Sequence, residues 1–289
     1  MDQTQAFTAN PLTAFMRQPK IYITLPSGGK HWTPGSLEIS STGEYPVYSM
    51  TAQDELLLKV PDALMNGQAV VDVIQNCMPN IKDAWGCSTL DLDVILISIR
   101  IATYGESMTM PVKFAEDLEL EYQMDLRTVK DQLVNQISWD TTVAISPELT
   151  VFVRPLVYKE FSDAAVQTFE TQKIMQIVND DVMSEEDKLR LFKESFNKLT
   201  QVTLSSVANG IYQIDSIHGS TTDLQHIKEF VNNIDKNIFG KIQTHIDNLK
   251  EQNNLKPISV AVTDEMREKG FTGDSVEVPV TFDAATFFV

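Results

Sequence analysis

One stretch of the chain, PSGGKHW, has residue types that could hold a phosphate, because two glycines and a lysine follow a short strand-like run. A phosphate-binding loop of the Walker type needs a glycine, four further residues, and then Gly-Lys-Ser/Thr at the start of a helix. Here Thr24 stands where the first glycine belongs, and His31 replaces the hydroxyl residue that binds Mg²⁺. A proline and a glycine soon afterwards would break the required helix. The stretch is therefore predicted to be a tight turn, with positive φ at Gly28 or Gly29 and no bound nucleotide.

Histidine and cysteine are too widely spaced to indicate a metal site. No HExxH pattern occurs, and no two histidines are four residues apart. Cys77 and Cys87 lack the close CxxC spacing with which thiolates share a zinc ion. Two isolated cysteines are typical of small buried residues in a reducing compartment, so we expect no metal, no cofactor and no disulfide framework. The histidines are His31, His218, His226 and His245.

Acidic residues cluster in the segment NDDVMSEED, where carboxylates could bind calcium or act in catalysis. The EF-hand pattern needs oxygen ligands at alternate positions and a central glycine, and this segment has neither. A capping box at Ser184, with negative charge at the positive end of the next helix, is the simpler explanation, and Asp91 and Asp93 are interpreted in the same way. Two or more of these acids meeting in a pocket would instead indicate a hydrolase. The acids of the cluster are Asp180, Asp181, Glu185, Glu186 and Asp187.

The charge balance favours a protein partner. The 289 residues include 23 basic and 40 acidic side chains, which gives a net charge of −17. A surface this acidic repels phosphate backbones and anionic lipid, so we expect no nucleic-acid and no membrane partner. The sequence has no Gly-x-Ser-x-Gly elbow and no dinucleotide-binding glycine motif, and we expect no catalytic residue and no small-molecule substrate. No apolar run approaches the ~20 residues that span a bilayer, and no signal peptide is visible.

The pattern of elements predicts an α+β fold that is rich in helices. Residues 1–19 are polar with scattered apolar side chains and are predicted to be an extended arm. Residues 20–140 are predicted to form a helical and β domain, and residues 141–289 a helical domain. Cap signatures begin helices at Thr51, Ser88 and Ser184.

Two short β-hairpin units are predicted at 112–126 and 258–283. Both units have the order proline, short strand, loop, alternating strand and aspartate, and they look like zinc ribbons without metal-binding residues. Turn residues fill 138–148, which indicates a boundary. Pro155 interrupts the strand pattern that follows, so that strand is predicted to lie at a sheet edge.

Apolar side chains at helical spacing predict buried faces. One such stripe contains Phe192 and Phe196, which are predicted to lie in the core, and the other members of the stripe are Leu189, Leu199 and Val202. Phe287 and Phe288 do not fit such a pattern, and they are either folded back or anchored in a partner.

Several longer stretches are similar to a known family. These are NPLTAFMRQPKIYITLPSGGKHW, PVYSMTAQDELLLKVPDALMNGQAVVDVIQNCMPNIKDAW, DVILISIRIATYGESM, DLQHIKEFVNNIDKNIFGKIQTHIDNL and VPVTFDAATFF. Together they resemble the baseplate hub and hub-assembly proteins of contractile-tailed bacteriophages of the T-even type. The resemblance is of the whole pattern and covers most of the chain. CxxC knuckles, which family members often have, are missing here at both hairpin units, so a zinc site is not carried over.

The resemblance implies a structural or assembly role in the tail baseplate, with assembly in the host cytoplasm and other baseplate and tail subunits as partners. An assembly chaperone absent from the finished virion is one alternative, and a tail-associated hydrolase is another. The surface predicted to meet a partner combines the arm, the glycine turn and the C-terminal phenylalanines. Its residues are Phe7, Leu12, Phe15, Met16, Lys30, His31, Trp32, Phe287 and Phe288.

Overall fold

The architecture is known from a computed structural model. It describes residue 12 and residues 16–60, 66–115, 118–136, 138–178, 184–268, 273–278 and 287. Within these residues the chain is a mixed α/β protein with small antiparallel sheets, in agreement with the predicted fold class. No helix in this part of the chain is both long and apolar enough to cross a membrane.

The first hydrophobic core is built around a helix that is buried over most of its surface. Strands β1 (Pro19–Thr24) and β2 (Glu44–Tyr48) pair antiparallel beside it. The central helix, α3 (Thr89–Tyr104), carries four fully buried apolar residues, Val94, Ile95, Ile97 and Ile99. The helices of this core are α1 (Ala52–Leu57), α2 (Gln68–Cys77), α3 (Thr89–Tyr104) and α4 (Leu126–Gln136), with a short 3₁₀ helix at Ala84–Gly86.

The predicted helix starts of this core are confirmed. Thr51 and Asp54 form a capping box at α1, and the Ser88 side chain accepts a hydrogen bond from the backbone N–H of Leu90 at α3. The β-branched residues of α3 would also suit a strand, but a capped start and a stop at Gly105 fix it as a helix.

Two antiparallel hairpins occur at the predicted places. Strand β3 (Ser107–Ala115) pairs with β4 (Leu118–Asp125), and β9 (Ile258–Ala261) pairs with β10 (Ser275–Val278). The loop of the second hairpin contains a short helix, α9 (Asp264–Glu268). The predicted end of that hairpin, at 279–283, lies outside the described residues.

The second core lies under a four-stranded antiparallel sheet, and here two predictions are wrong. The sheet has the order β5-β6-β7-β8, formed by β5 (Thr142–Ser146), β6 (Leu149–Val153), β7 (Ile211–Ser216) and β8 (Gly219–Thr221). The stretch predicted as a turn region therefore contains strand β5. Strand β6 is central, because Val151 pairs with Val143 on one side and with Ile214 on the other. Pro155 comes after the end of β6, so it costs no ladder hydrogen bond.

Helices α7 (Leu224–Asn233) and α8 (Lys236–Asn253) close the second core. Aspartates cap both helices: Asp223 accepts from the backbone of Gln225 and His226, and Asp235 accepts from the two residues after Lys236. The predicted apolar face of α8 is confirmed, since Ile242, Ile246 and Leu249 are buried and Ile238 packs against them.

Between β6 and β7 the chain forms a helical hairpin of α5 (Tyr158–Val178) and α6 (Glu185–Asn209). Ser184 caps α6, as predicted. The connection is short, so the two helices run antiparallel, and Lys198 Nζ lies 3.3 Å from Glu170 Oε2 across the hairpin. The start of α5 is fixed to the first core, where the backbone N–H of Tyr158 donates to the Cys87 carbonyl at 2.8 Å.

Candidate functional site

The turn after β1 has the predicted backbone geometry. Gly28 has φ of 63° and Gly29 has φ of 79°, so both glycines adopt the left-handed conformation. A Cβ at Gly29 would also lie 2.8 Å from Ile39 Cδ1. His31 has φ of 64° and is the single non-glycine residue with positive φ in the described part of the chain. The turn is thus a strained, closely packed loop.

Asp91 holds this loop against the first core. Its carboxylate accepts hydrogen bonds from the Ser27 backbone N–H at 2.8 Å, from the Ser27 hydroxyl, and from Trp32 Nε1 at 2.6 Å. Burial raises the pKa of Asp91, and the hydrogen bonds from Ser27 and Trp32 oppose that rise. Asp91 lies in the first turn of α3, where negative charge is expected, but its carboxylate also binds a loop 59 to 64 residues away in the sequence.

The far side of the same loop packs on the 3₁₀ helix. The Thr33 backbone N–H donates to the Gly86 carbonyl at 3.0 Å, and the buried Ser36 accepts from the backbone of Lys82 at 2.8 Å. A Cβ at Gly86 would lie 2.1 Å from Ser36 Oγ, so the two segments touch with no room for a side chain. The loop is fixed at both ends.

The three loop residues predicted to face a partner are placed differently from one another. Lys30 is exposed, His31 is half-buried, and Trp32 packs against the first core with its indole N–H on Asp91. Burial, together with the charges of Lys30 and Arg154, lowers the pKa of His31. Trp32 therefore anchors the loop, and the outward surface of the turn is that of Lys30.

The N-terminal candidates are partly described. Leu12 is 62% exposed and Met16 is 52% exposed; Phe7 and Phe15 lie outside the described residues. Arg17 is already fixed to the first core, since its guanidinium donates to the Ser49 carbonyl at 2.8 Å and to the Asn76 carbonyl at 2.5 Å. The chain is therefore anchored before β1 begins.

Phe287 is folded back onto the first core. It is 1% exposed, its carbonyl accepts a hydrogen bond from Arg100, and the guanidinium carbon lies 5.4 Å from the centre of its ring. Of the two alternatives for this residue, the folded-back one describes the structure, because a buried ring offers no surface to a partner. Phe288 lies outside the described residues.

A cavity of about 350 Å³ lies between the two cores, and Asp93 is in its wall. Leu133, Trp139 and Phe161 supply apolar surface. Within the described residues no hydrogen bond or ion pair reaches the half-buried Asp93 carboxylate, and burial raises its pKa. Its interpretation as a capping or solvated residue is wrong.

Replacing Asp93 by asparagine is expected to stabilise the protein at neutral pH by about 1 kcal/mol, since a half-buried charge without a hydrogen-bond partner is costly. The raised pKa of the folded state means that this carboxyl favours folding below its unfolded pKa, and that the benefit is lost as pH rises through the folded value. The gain of Asp93→Asn should therefore shrink as the pH is lowered towards 4. Chemical denaturation across this pH range measures the difference in unfolding free energy between the variant and the wild type. A difference that does not change with pH would contradict the prediction.

The remaining titratable candidates are dispersed. Among the described residues no three His, Cys, Asp or Glu side chains lie close enough to hold a metal ion. Cys77 and Cys87 are buried free thiols, and burial raises the pKa of Cys77 to about 11 and that of Cys87 above its usual range. In the acidic cluster, Asp187 bonds to Ser184 and lies 3.0 Å from Arg190, while Asp180 and Asp181 lie outside the described residues.

A further candidate surface consists of side chains that are predicted to lie in the core. Leu189, Phe192 and Phe196 of α6 are 51–60% exposed, so the prediction that they are core residues is wrong. Their spacing correctly puts them on one face of the helix, but spacing carries no information about whether another element covers that face. On α5, Phe161 and Phe169 are also about half exposed.

Comparison with known proteins identifies a family. The model of a family described as T4 bacteriophage base plate protein matches residues 16–265. Searches of curated proteins and of solved structures found no match. The matched segment includes the glycine turn, the helical hairpin and both cores apart from Phe287.

Proposed function

Since this chain belongs to the family of T4 bacteriophage base plate proteins, we propose that it works in the hub region of a contractile tail baseplate, through protein–protein contacts. As a member of the family it is a structural component of the phage tail baseplate. The match over residues 16–265 is the observation that carries the proposal. Under this proposal the chain assembles in the host cytoplasm and stays in the virion. It acts through its surface contacts and without catalysis.

The surface of the chain supports action by contact. Leu12 and Met16 expose apolar side chains beside the anchored Arg17, and the helical hairpin exposes a further set. Exposed apolar patches of this kind are typical of surfaces that bind proteins. The net charge of −17 favours basic neighbours in the particle. The two β-hairpins, which are zinc-ribbon-like units without metal in this proposal, would be held by packing.

Stoichiometric mass spectrometry of purified virions tests the placement. A baseplate component should be present at a fixed number of copies per particle. An assembly chaperone should be missing or far below stoichiometric amounts, and that outcome would replace the proposal by the chaperone alternative. Turnover by the purified chain would instead support the hydrolase alternative.

Deleting residues 1–15 is expected to abolish co-purification with other baseplate subunits while leaving the fold intact. The deletion removes Leu12 but keeps Arg17 and strand β1, which are packed in the first core. In pull-downs from infected cells, quantified by mass spectrometry, the recovered amount of each partner should fall at least about tenfold. Circular dichroism and thermal unfolding of the variant serve as the folding control. Unchanged recovery of partners would rule out the arm as a docking segment.

A further inference from the structure

The helical hairpin has an uncovered apolar surface, here called the hairpin face. It consists of Phe161 and Phe169 on α5 and Leu189, Phe192 and Phe196 on α6, each 45–60% exposed. At roughly 100 Å² per half-exposed large side chain, the face presents about 500 Å² of apolar surface. This is at the upper end of what a monomeric protein exposes in one patch.

The five side chains lie on the same side of the hairpin. On α6, Leu189, Phe192 and Phe196 recur at spacings of three and four, and Thr203 continues the stripe towards the base of the hairpin. There Thr203 lines a cavity of about 500 Å³ together with Phe161 and Phe169 of α5. The stripe and the two α5 rings therefore form one surface.

At its base this surface is partly covered by a helix. Ile246 of α8 lines the same cavity, while Phe161 stays half exposed. Further out, Phe192 and Phe196 have no such cover from the described part of the chain, and both stay half exposed. The groove between α5 and α6 is thus suited to helical partners, and its outer half has room for more helices.

The charge of the hairpin differs from that of the rest of the chain. Helices α5 and α6 carry six basic and seven acidic side chains, a net charge of −1, while the whole chain has −17. Two copies of this protein would repel each other at most surfaces, but not at this one. With so little net charge, the two helices have no electrostatic preference for a basic partner.

We propose that the hairpin face binds the hairpin face of a second copy, so that two hairpins form a four-helix bundle about a two-fold axis. A two-fold contact uses the same patch on both partners, and a self-complementary apolar face meets that requirement. An interface of standard size covers about 800 Å² per partner, of which roughly 60% is apolar. The apolar area of the hairpin face, about 500 Å², equals the apolar part of such an interface.

Sedimentation equilibrium of the purified full chain tests the proposal. As its concentration rises, the wild-type protein should change from a 32.5 kDa monomer to a dimer of twice that mass. The dissociation constant of the dimer should be about 1–50 μM. The double variant Phe192→Ser/Phe196→Ser should raise this constant at least about 30-fold. The matched control, Ile39→Ser/Ile217→Ser, changes two side chains of similar exposure elsewhere and should leave it unchanged. Thermal unfolding should be similar in all three proteins, because every changed side chain is exposed.

Fluorescence energy transfer between dyes on two copies gives a second measurement of dimer formation. Cys77 and Cys87 are fully buried, so a cysteine introduced at the exposed Lys193 is the reactive site for dyes. Mixing donor- and acceptor-labelled Lys193→Cys proteins should give strong transfer that the double serine change removes. Transfer should persist when salt is raised to about 0.5 M, because the face is apolar and not ionic.

Two outcomes overturn the proposal: a wild type that stays monomeric at about 200 μM, or a double variant that dimerises as the wild type does. In the first case the face belongs to a helix of another protein. Because the purified chain alone is measured, the result is independent of whether the protein is found in the virion.

Discussion

Replacing Asp91 by alanine is expected to lower the free energy of unfolding by about 3 kcal/mol and to free the loop around Trp32. Asp91 is fully buried and accepts three hydrogen bonds, two from Ser27 and one from Trp32. Removing it leaves the partly buried Ser27 and Trp32 N–H groups without this acceptor. Denaturant unfolding measures the loss, and amide hydrogen exchange of the peptide containing Ser27 reports the loop directly.

Asp93 supplies a matched control on the same helix. It is also a carboxylate with a pKa raised by burial, but it has no partner among the described residues. Asp93→Ala should therefore leave stability unchanged or increase it, while Asp91→Asn, which keeps one acceptor oxygen, should cost about 1–2 kcal/mol. Equal losses at the two positions would show that the charge of α3 matters and that the hydrogen bonds to the loop do not.

Replacing Gly86 by alanine is the second change with a large expected effect, a loss of about 3 kcal/mol or roughly 6–12 °C in Tm. The new Cβ would lie 2.1 Å from Ser36 Oγ and 2.7 Å from the Cβ atoms of both Ser36 and Thr33. A serine hydroxyl can rotate away, but a Cβ moves only with its backbone. The backbone here is held by hydrogen bonds to Gly86 and Lys82.

Gly240 provides the control for this change. It lies inside α8, and an added Cβ would meet no atom within 4 Å. Gly240→Ala should therefore stabilise the protein by about 0.5–1 kcal/mol, because alanine has the higher helix propensity. Differential scanning calorimetry of the two variants compares them. If Gly86→Ala unfolds within a degree of the wild type, the loop is not clamped as described.

Features set by neighbouring residues could be predicted from the sequence. The capping pairs at Thr51 and Ser184 act within one helical turn, and both were found. The tight turn at Gly28 and Gly29 depends on local backbone sterics, and its positive φ values were also predicted. These interactions need no knowledge of the rest of the fold.

Features set by distant residues could not be predicted in the same way. Asp91 has the sequence context of a capping residue, and its real partners lie about 60 residues earlier. Strand β6 looked like an edge strand because of Pro155, but its second neighbour, β7, comes only after two long helices. The exposure of Phe192 and Phe196 likewise depends on the absence of a covering element, and helical spacing cannot report that.

At the base of the helical hairpin the Arg154 N–H donates to the Gly210 carbonyl at 2.8 Å, next to the pairing of Val153 with Ile211. The chain thus leaves the sheet and returns to it at the same point. Equal numbers of helical turns can be removed from or added to α5 and α6 without moving the two points where the chain joins the sheet. Two turns in each helix change the length of the hairpin by about 10 Å. If two copies join through their hairpin faces, the length of α5 and α6 sets the distance between the cores of one copy and those of the other.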